Sequence, residues 1–186
     1  MITVTANAKI NLALDVLGKR KDGYHEVKLV MQSIGLADTI WMEPKPCGIE
    51  LEVDSPELPA DESNLAYKAA RLFLDEHSMQ HGVSIAVKKK IPMGAGLAGG
   101  SADAAAVLLG MDKLFGTRMT QDDFMRMAAK LGSDVPFCVI GGTMLAEGRG
   151  ECLTELSELP SCWVVLAKPD VSVSTAWAYN AFDDEK

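Results

Sequence analysis

Four glycines within seven positions, Gly94, Gly96, Gly99 and Gly100, precede Ser101 at what reads as the mouth of a helix. Glycine backbone lets an anion come close, and the unpaired N–H groups of a helix start point at it. The helix end adds roughly half a positive charge. Holding a phosphate is the chemistry this arrangement suits. The P-loop pattern is absent, because no Lys precedes Ser101. Gly94, Gly96 and Gly99 do satisfy G-x-G-x-x-G. A dinucleotide fold would continue into a second parallel strand ending in an acidic residue roughly 20 positions on. Here the chain enters another helix behind Thr120 instead. A glycine-rich turn without a ligand is the plain alternative, and the neighbouring Lys88–Lys90 run favours an anion.

Other residues could join that chemistry. Lys9 and Asn11 lie two apart in an alternating stretch, so they project from one face of a rigid strand. A solvated strand face would look the same. Tyr24 and His25 follow an Asp22-Gly23 turn and could bring an aromatic face and a ring nitrogen towards that strand. Asp134 could act as a base or simply cap a short helix. Asn64 is either a first-turn polar residue or a nucleotide contact. Lys89 either approaches a nucleotide or belongs to a solvated strand end. His77 and His81 have metal spacing on a helix but no third ligand in the pattern, which reads as surface.

The elements that must position these groups follow from periodicity. Val83, Ile85 and Val87 alternate into a strand that Pro92 ends. Ala104, Val107, Leu108, Met111 and Phe115 then recur at helical spacing, with Ser101 as the expected N-cap. Residues 2–18 read as one or two strands with Ala8, Ile10, Leu12, Leu14 and Val16 on the apolar face. Lys19–Gly23 is a turn, and strands are expected over 27–36, 38–43 and 49–53. Ser63 is the expected cap of a helix carrying Leu65, Ala66, Ala69, Ala70, Leu72 and Phe73. Thr120 caps a helix with Phe124, Met127, Ala128 and Leu131, and Gly132 stops it. Ser133 or Asp134 starts a short turn, 143–146 is a strand, and a hairpin follows. Cys162–Lys168, with Trp163, Val164, Val165 and Leu166, reads as one more strand.

The formal charge of −8 and pI near 4.9 argue against nucleic acid or an anionic membrane as the main partner. Cys47, Cys138, Cys152 and Cys162 show no C-x-x-C spacing, so free thiols in a reducing compartment are expected. The chain shows no leader peptide and no apolar run long enough to span a bilayer, which points to a cytoplasmic, bacterial-type protein.

The stretch Pro92-Met-Gly-Ala-Gly-Leu-Ala-Gly-Gly-Ser-Ala-Asp103 resembles the second motif of the GHMP kinases, and Gly132-Ser-Asp-Val-Pro136 resembles a later one. Lys9, Asn11, Leu12, Val16, Gly18, Arg20, Asp22, Gly23, Tyr24 and His25 resemble the signature of the branch acting on a cytidine diphosphate-linked methylerythritol. The resemblance covers essentially the whole chain. It implies an α+β fold of the ribosomal protein S5 domain 2-like kind, ATP and Mg²⁺ as cofactors, and a small-molecule acceptor. It implies that Pro92, Met93, Gly94, Ala95, Gly96, Leu97, Ala98, Gly99, Gly100 and Ser101 hold the ATP, with Asn64 and Lys89 beside them. Asp134 would be the base and Lys9 its cationic partner. Asn11, Tyr24, His25, Thr175 and Tyr179 would contact the acceptor. Ala98 and Ala102 stand where many members carry Gly and Ser. Residues 1–155 would form the N-terminal domain and 156–186 the start of a C-terminal one, so a fragment with little activity alone is expected, with a homodimer possible. A sibling kinase for another small alcohol and a non-catalytic nucleotide-binding module remain the alternatives.

Overall fold

The computed structural model describes residues 1–169 together with Trp177, Ala178 and Ala181. Ten elements follow in order: β1 (Ile2–Lys19), β2 (His25–Lys45), β3 (Ile49–Val53), α1 (Leu65–Glu76), β4 (Gly82–Lys88), α2 (Gly99–Phe115), α3 (Gln121–Leu131), α4 (Val135–Ile140), β5 (Thr143–Glu147) and β6 (Cys152–Glu155). The fold is mixed α+β, as the sequence implies. β2 organises the sheet. β1 pairs antiparallel with it along its whole length, while β4 takes the Thr39–Lys45 half and β5 the Leu29–Gln32 half. β3 lies parallel to β4, and β6 antiparallel to β5.

The main core forms where α1 and α2 cover this sheet. Ile40, Met42, Val83 and Ile85 from the strands meet Phe73, Leu108 and Met111 from the helices. A smaller cluster of Val27, Leu29, Met31, Phe137, Met144 and Ala146 fills the space under α4. Helix α2 approaches the sheet closely at Gly110, where a Cβ would stand 3.1 Å from Val4 Cγ2. Among the described residues, no helix is long and apolar enough to cross a membrane.

Several local expectations change. The strands expected over 27–36 and 38–43 are one continuous β2, whose backbone stays extended through the shift in its pairing with β1 between Ser33 and Ala37. The apolar face expected on β1 holds at Ala8 and in part at Ile10 and Val16, which pack against the two cores, but fails at Leu12 and Leu14, 47% and 48% exposed. Irregularities in pairing between Asn7 and Lys9, and between Asn11 and Ala13, break the two-residue alternation. Asn64, rather than Ser63, caps α1, its side chain accepting from Ala66 N–H at 2.9 Å. Ser63 instead bonds Asp61, a tight Asx turn one residue too early. Helix α2 begins at Gly99 behind Ala98, so Ser101 lies inside it. Ser157–Pro169 form neither helix nor strand, and Trp163 and Val165 are 100% and 93% exposed. A strand needs a ladder partner, and none of the described strands pairs with this segment.

Candidate active site

The glycine loop leaves β4 at Lys88 and enters α2 at Gly99. Gly94 and Gly96 take positive φ values of 60° and 72°, which bend the backbone over a cleft. The first intrahelical bond runs from Ala102 N–H to Ala98 O at 2.8 Å. The N–H groups of Gly99, Gly100 and Ser101 are thus left without partners inside the helix. The cleft, about 420 Å³, is lined by all of Pro92–Ser101 and by Asn64 and Lys89, the full set of expected nucleotide contacts. Leu58, Pro59, Leu65, Ile91 and Asp103 line it as well. Asn64 holds its place through both ends of its amide, accepting from Ala66 N–H and donating to Pro59 O at 2.7 Å. It is a helix cap and a cleft wall together.

Lys9 links this loop to Asp134. Its backbone N–H donates to Leu97 O at 3.1 Å, made possible where β1 breaks register with β2 after Asn7. Its ammonium donates to Asn11 Oδ1 at 3.2 Å and stands 3.9 Å from Asp134 Oδ2. The Lys9 side chain is 7% exposed and that of Asp134 36%. Asp134 occupies the N-cap position of α4 but makes no side-chain capping bond. Its carboxylate therefore faces the ammonium and solvent, with the capping job left undone. A half-exposed carboxylate held beside a buried cation, next to a phosphate-type loop, can accept a proton from a bound hydroxyl and have the resulting negative charge stabilised.

The acceptor residues are more spread out. Asn11 stands with Lys9. Tyr24 and His25 do not: Lys9 pairs with Ser33 and Lys19 with His25, which puts His25 eight residues along β2, roughly 26 Å of strand. His25 is buried and Tyr24 is 53% exposed. Thr175 and Tyr179 lie outside the described residues. Lys89 is not a free strand-end cation; its ammonium is bonded to Asp38 and Asp103. With α2 starting at Gly99, Asp103 falls beyond the first helical turn, where its carboxyl turns inward to that lysine.

Two residues escaped the sequence reading. Arg149, in the turn between β5 and β6, holds its guanidinium 4.8 Å from the Tyr24 ring centre. Pattern gives no hint of this, because the two turns meet only through sheet pairing. Asp38 is fully buried in β2. Its signal was legible: Asp38, Ile40 and Met42 share one strand face, so a carboxylate sat in an inward-facing apolar series.

Residues 64–142 match the family described as GHMP kinases N terminal domain. The chain is 51% identical, over 179 residues, to the 4-diphosphocytidyl-2-C-methyl-D-erythritol kinase of Acetivibrio thermocellus, covering 96% of this chain and 63% of that protein. It is 54% identical over 181 residues to the kinase of the same name from Synechococcus sp. (strain JA-3-3Ab), covering 97% and 59%. A crystal structure of 4-(cytidine 5'-diphospho)-2C-methyl-D-erythritol kinase superposes with a TM-score of 0.74 at 41% identity, over 86% of this chain and 56% of that one. The chain thus spans about three fifths of the length of the curated relatives it matches. Over residues 64–142, the glycine loop included, the chain carries a GHMP kinases N terminal domain.

Proposed function

We propose that this chain carries the nucleotide-binding and proton-accepting part of a kinase that moves the γ-phosphoryl of ATP to the 2-hydroxyl of 4-diphosphocytidyl-2-C-methyl-D-erythritol. One observation supports this above the others: Lys9 ties the glycine loop to Asp134, through Leu97 O on one side and a 3.9 Å ion pair on the other. The names of relatives at 51% and 54% identity support the choice of acceptor.

Phosphoryl transfer is mainly positioning and charge stabilisation. The free N–H groups at the start of α2 receive the phosphates. ATP would arrive as its Mg²⁺ complex, the ion neutralising the phosphate charge. The acceptor hydroxyl loses its proton to Asp134, its oxygen bonds to the γ-phosphorus, and the bond to the ADP oxygen breaks. Lys9 lowers the cost of the alkoxide that develops. Asn11 orients the near part of the acceptor, while Tyr24 and His25, far along the hairpin, receive an end that must be extended to reach them. The same reading takes residues 1–155 as the N-terminal domain and 156–186 as the start of another, supported by the end of β6 at Glu155. A cytoplasmic location belongs to the same proposal.

The test is turnover of the cytidylylated methylerythritol and of mevalonate by the full-length protein, followed by ADP release. Asp134→Asn is expected to keep nucleotide affinity and lower kcat by ~10²–10⁴. Equal use of mevalonate would sink the acceptor assignment, and near-normal turnover by D134N would sink the proton-accepting role.

A further inference from the structure

Beneath the glycine loop lies a charge cluster that the phosphoryl transfer above leaves unused. Asp38 Oδ1 accepts from the N–H groups of Lys90 and Ile91, at 2.5 and 2.8 Å, and Oδ2 accepts from the Lys89 ammonium at 2.5 Å. The same ammonium donates to Asp103 Oδ2 at 2.5 Å. Asp103 Oδ1 is buried and has no hydrogen-bond partner among the described residues. Two carboxylates therefore share one ammonium, and one buried acceptor is left over. Such an imbalance is costly in a site shielded from water.

The cluster is mechanically joined to the phosphate site. Lys89 and Asp103 both line the cleft. A Cβ on Gly99 would stand 3.1 Å from Ile91 Cγ2 and 3.5 Å from the Lys89 ammonium, so the first residue of α2 rests on the groups that Asp38 holds. The loop cannot shift without disturbing them.

We propose that Asp38, Lys89 and Asp103 are positioning residues of the nucleotide site, fixing the glycine loop from below, and that Asp103 takes up one proton from solvent when ATP settles on the loop. The proposal rests on the nucleotide reading of that loop. A polyphosphate beside the cluster adds negative charge near a carboxylate already short of partners, so the protonated acid is the form that tolerates it. The neutral acid still accepts from Lys89 through one oxygen, and the cluster becomes one cation with one anion. Burial, the largest cause, already pushes the free Asp103 carboxyl up to about 7; Lys89 opposes this and Asp38 adds to it. From α4 the titratable group facing it is Cys138, with Asp134 and the Lys9 of β1 also felt at that thiol.

Linkage sets the sign. ATP prefers the protonated form, so affinity is steady below about 7 and weakens above it, by up to about tenfold per pH unit for one proton. The experiment is calorimetric titration of the protein with ATP and Mg²⁺ at pH 7 and 8, in buffers of differing ionisation enthalpy, alongside Asp103→Asn. The titration of ATP itself is common to both proteins. Wild type is expected to take up more protons than D103N and to lose up to about tenfold more affinity between the two pH values. Lys89→Met is expected to weaken ATP binding, and the double variant K89M/D103N to recover part of that loss. If D103N does not fold, Asp103→Ser serves in its place. Equal proton uptake with parallel affinity curves overturns the proposal, as does a double variant no better than K89M. If folded wild type binds no ATP at all, the nucleotide reading falls and takes the proposal with it; parallel curves in a protein that binds ATP remove only the role of the cluster.

Discussion

At Ala98 the backbone turns into the left-handed region, with φ of 57° and ψ of 32°, immediately before the helix that bears the proposed phosphate site. An L residue there costs about 1–2 kcal/mol through its Cβ, a cost that glycine escapes. Ala98→Gly is therefore expected to raise stability by about 1 kcal/mol, less the extra freedom gained by the unfolded chain. The shift in the urea midpoint measures it. A drop in the midpoint would mean that the Ala98 methyl packs favourably enough to outweigh its strain. Lys9 shows the opposite economy: one residue uses its backbone to hold the loop and its side chain to hold Asp134. If the two act as the unit proposed, Lys9→Met should lower kcat of the full-length protein, and non-additively with Asp134→Asn.

Among elements, α3 has the most complete local specification. Thr120 accepts from Asp123 N–H while the Asp123 carboxylate accepts from Thr120 N–H, and Asp122 and Asp123 complement the dipole. Thr120→Ala is expected to cost about 1 kcal/mol, read from the denaturation midpoint, with no change in nucleotide affinity. The start of β4 is specified by space instead. A Cβ on Gly82 would lie 2.0 Å from Gly48 O and 2.3 Å from Cys47 C, both backbone atoms that cannot swing away. Gly82→Ala should force β3 and β4 apart at that end and cost about 1–3 kcal/mol. Unchanged stability would show that the turn at Cys47–Gly48 is free to move.

Over the whole molecule, two carboxylates bend the pH dependence of stability in opposite directions. Hydrogen bonds from Arg126 and Lys130 of α3 hold the Glu76 carboxyl of α1 down at about 2, from an ordinary value of 4.5. Its contribution is present above about 4.5 and is lost as pH falls towards about 2. Asp103 is raised from 3.8 to about 7, so its contribution is complete below about 3.8 and is lost as pH rises to about 7. Urea midpoints of wild type should therefore gain less, or fall, between pH 4 and 7 relative to D103N. Identical profiles would show that Asp103 ionises as freely folded as unfolded. The stretch Ser157–Pro169, exposed throughout, should be the first site cut by a protease that leaves the core intact.

The sequence by itself determined the strand–glycine loop–helix unit, the α3 cap and the site candidates, because each is a local matter of periodicity, φ preference or a helix end. The cleft lining follows from it, since a loop of consecutive residues brings its own neighbours. Partnership across the fold was decided elsewhere. That Asp134 does not cap α4 but faces Lys9, that Lys89 is held between two carboxylates, and that Arg149 covers Tyr24 depend on pairings 14 to 125 residues apart. Strand register carries the same lesson. Leu12 and Leu14 lie in a segment whose alternation promised burial, yet residues 11–15 are exposed on both faces, because burial needs a covering element and alternation cannot supply one. The residues 163–166 have the β-branched and aromatic composition of a strand, yet a strand is a pair, and composition cannot supply the second chain.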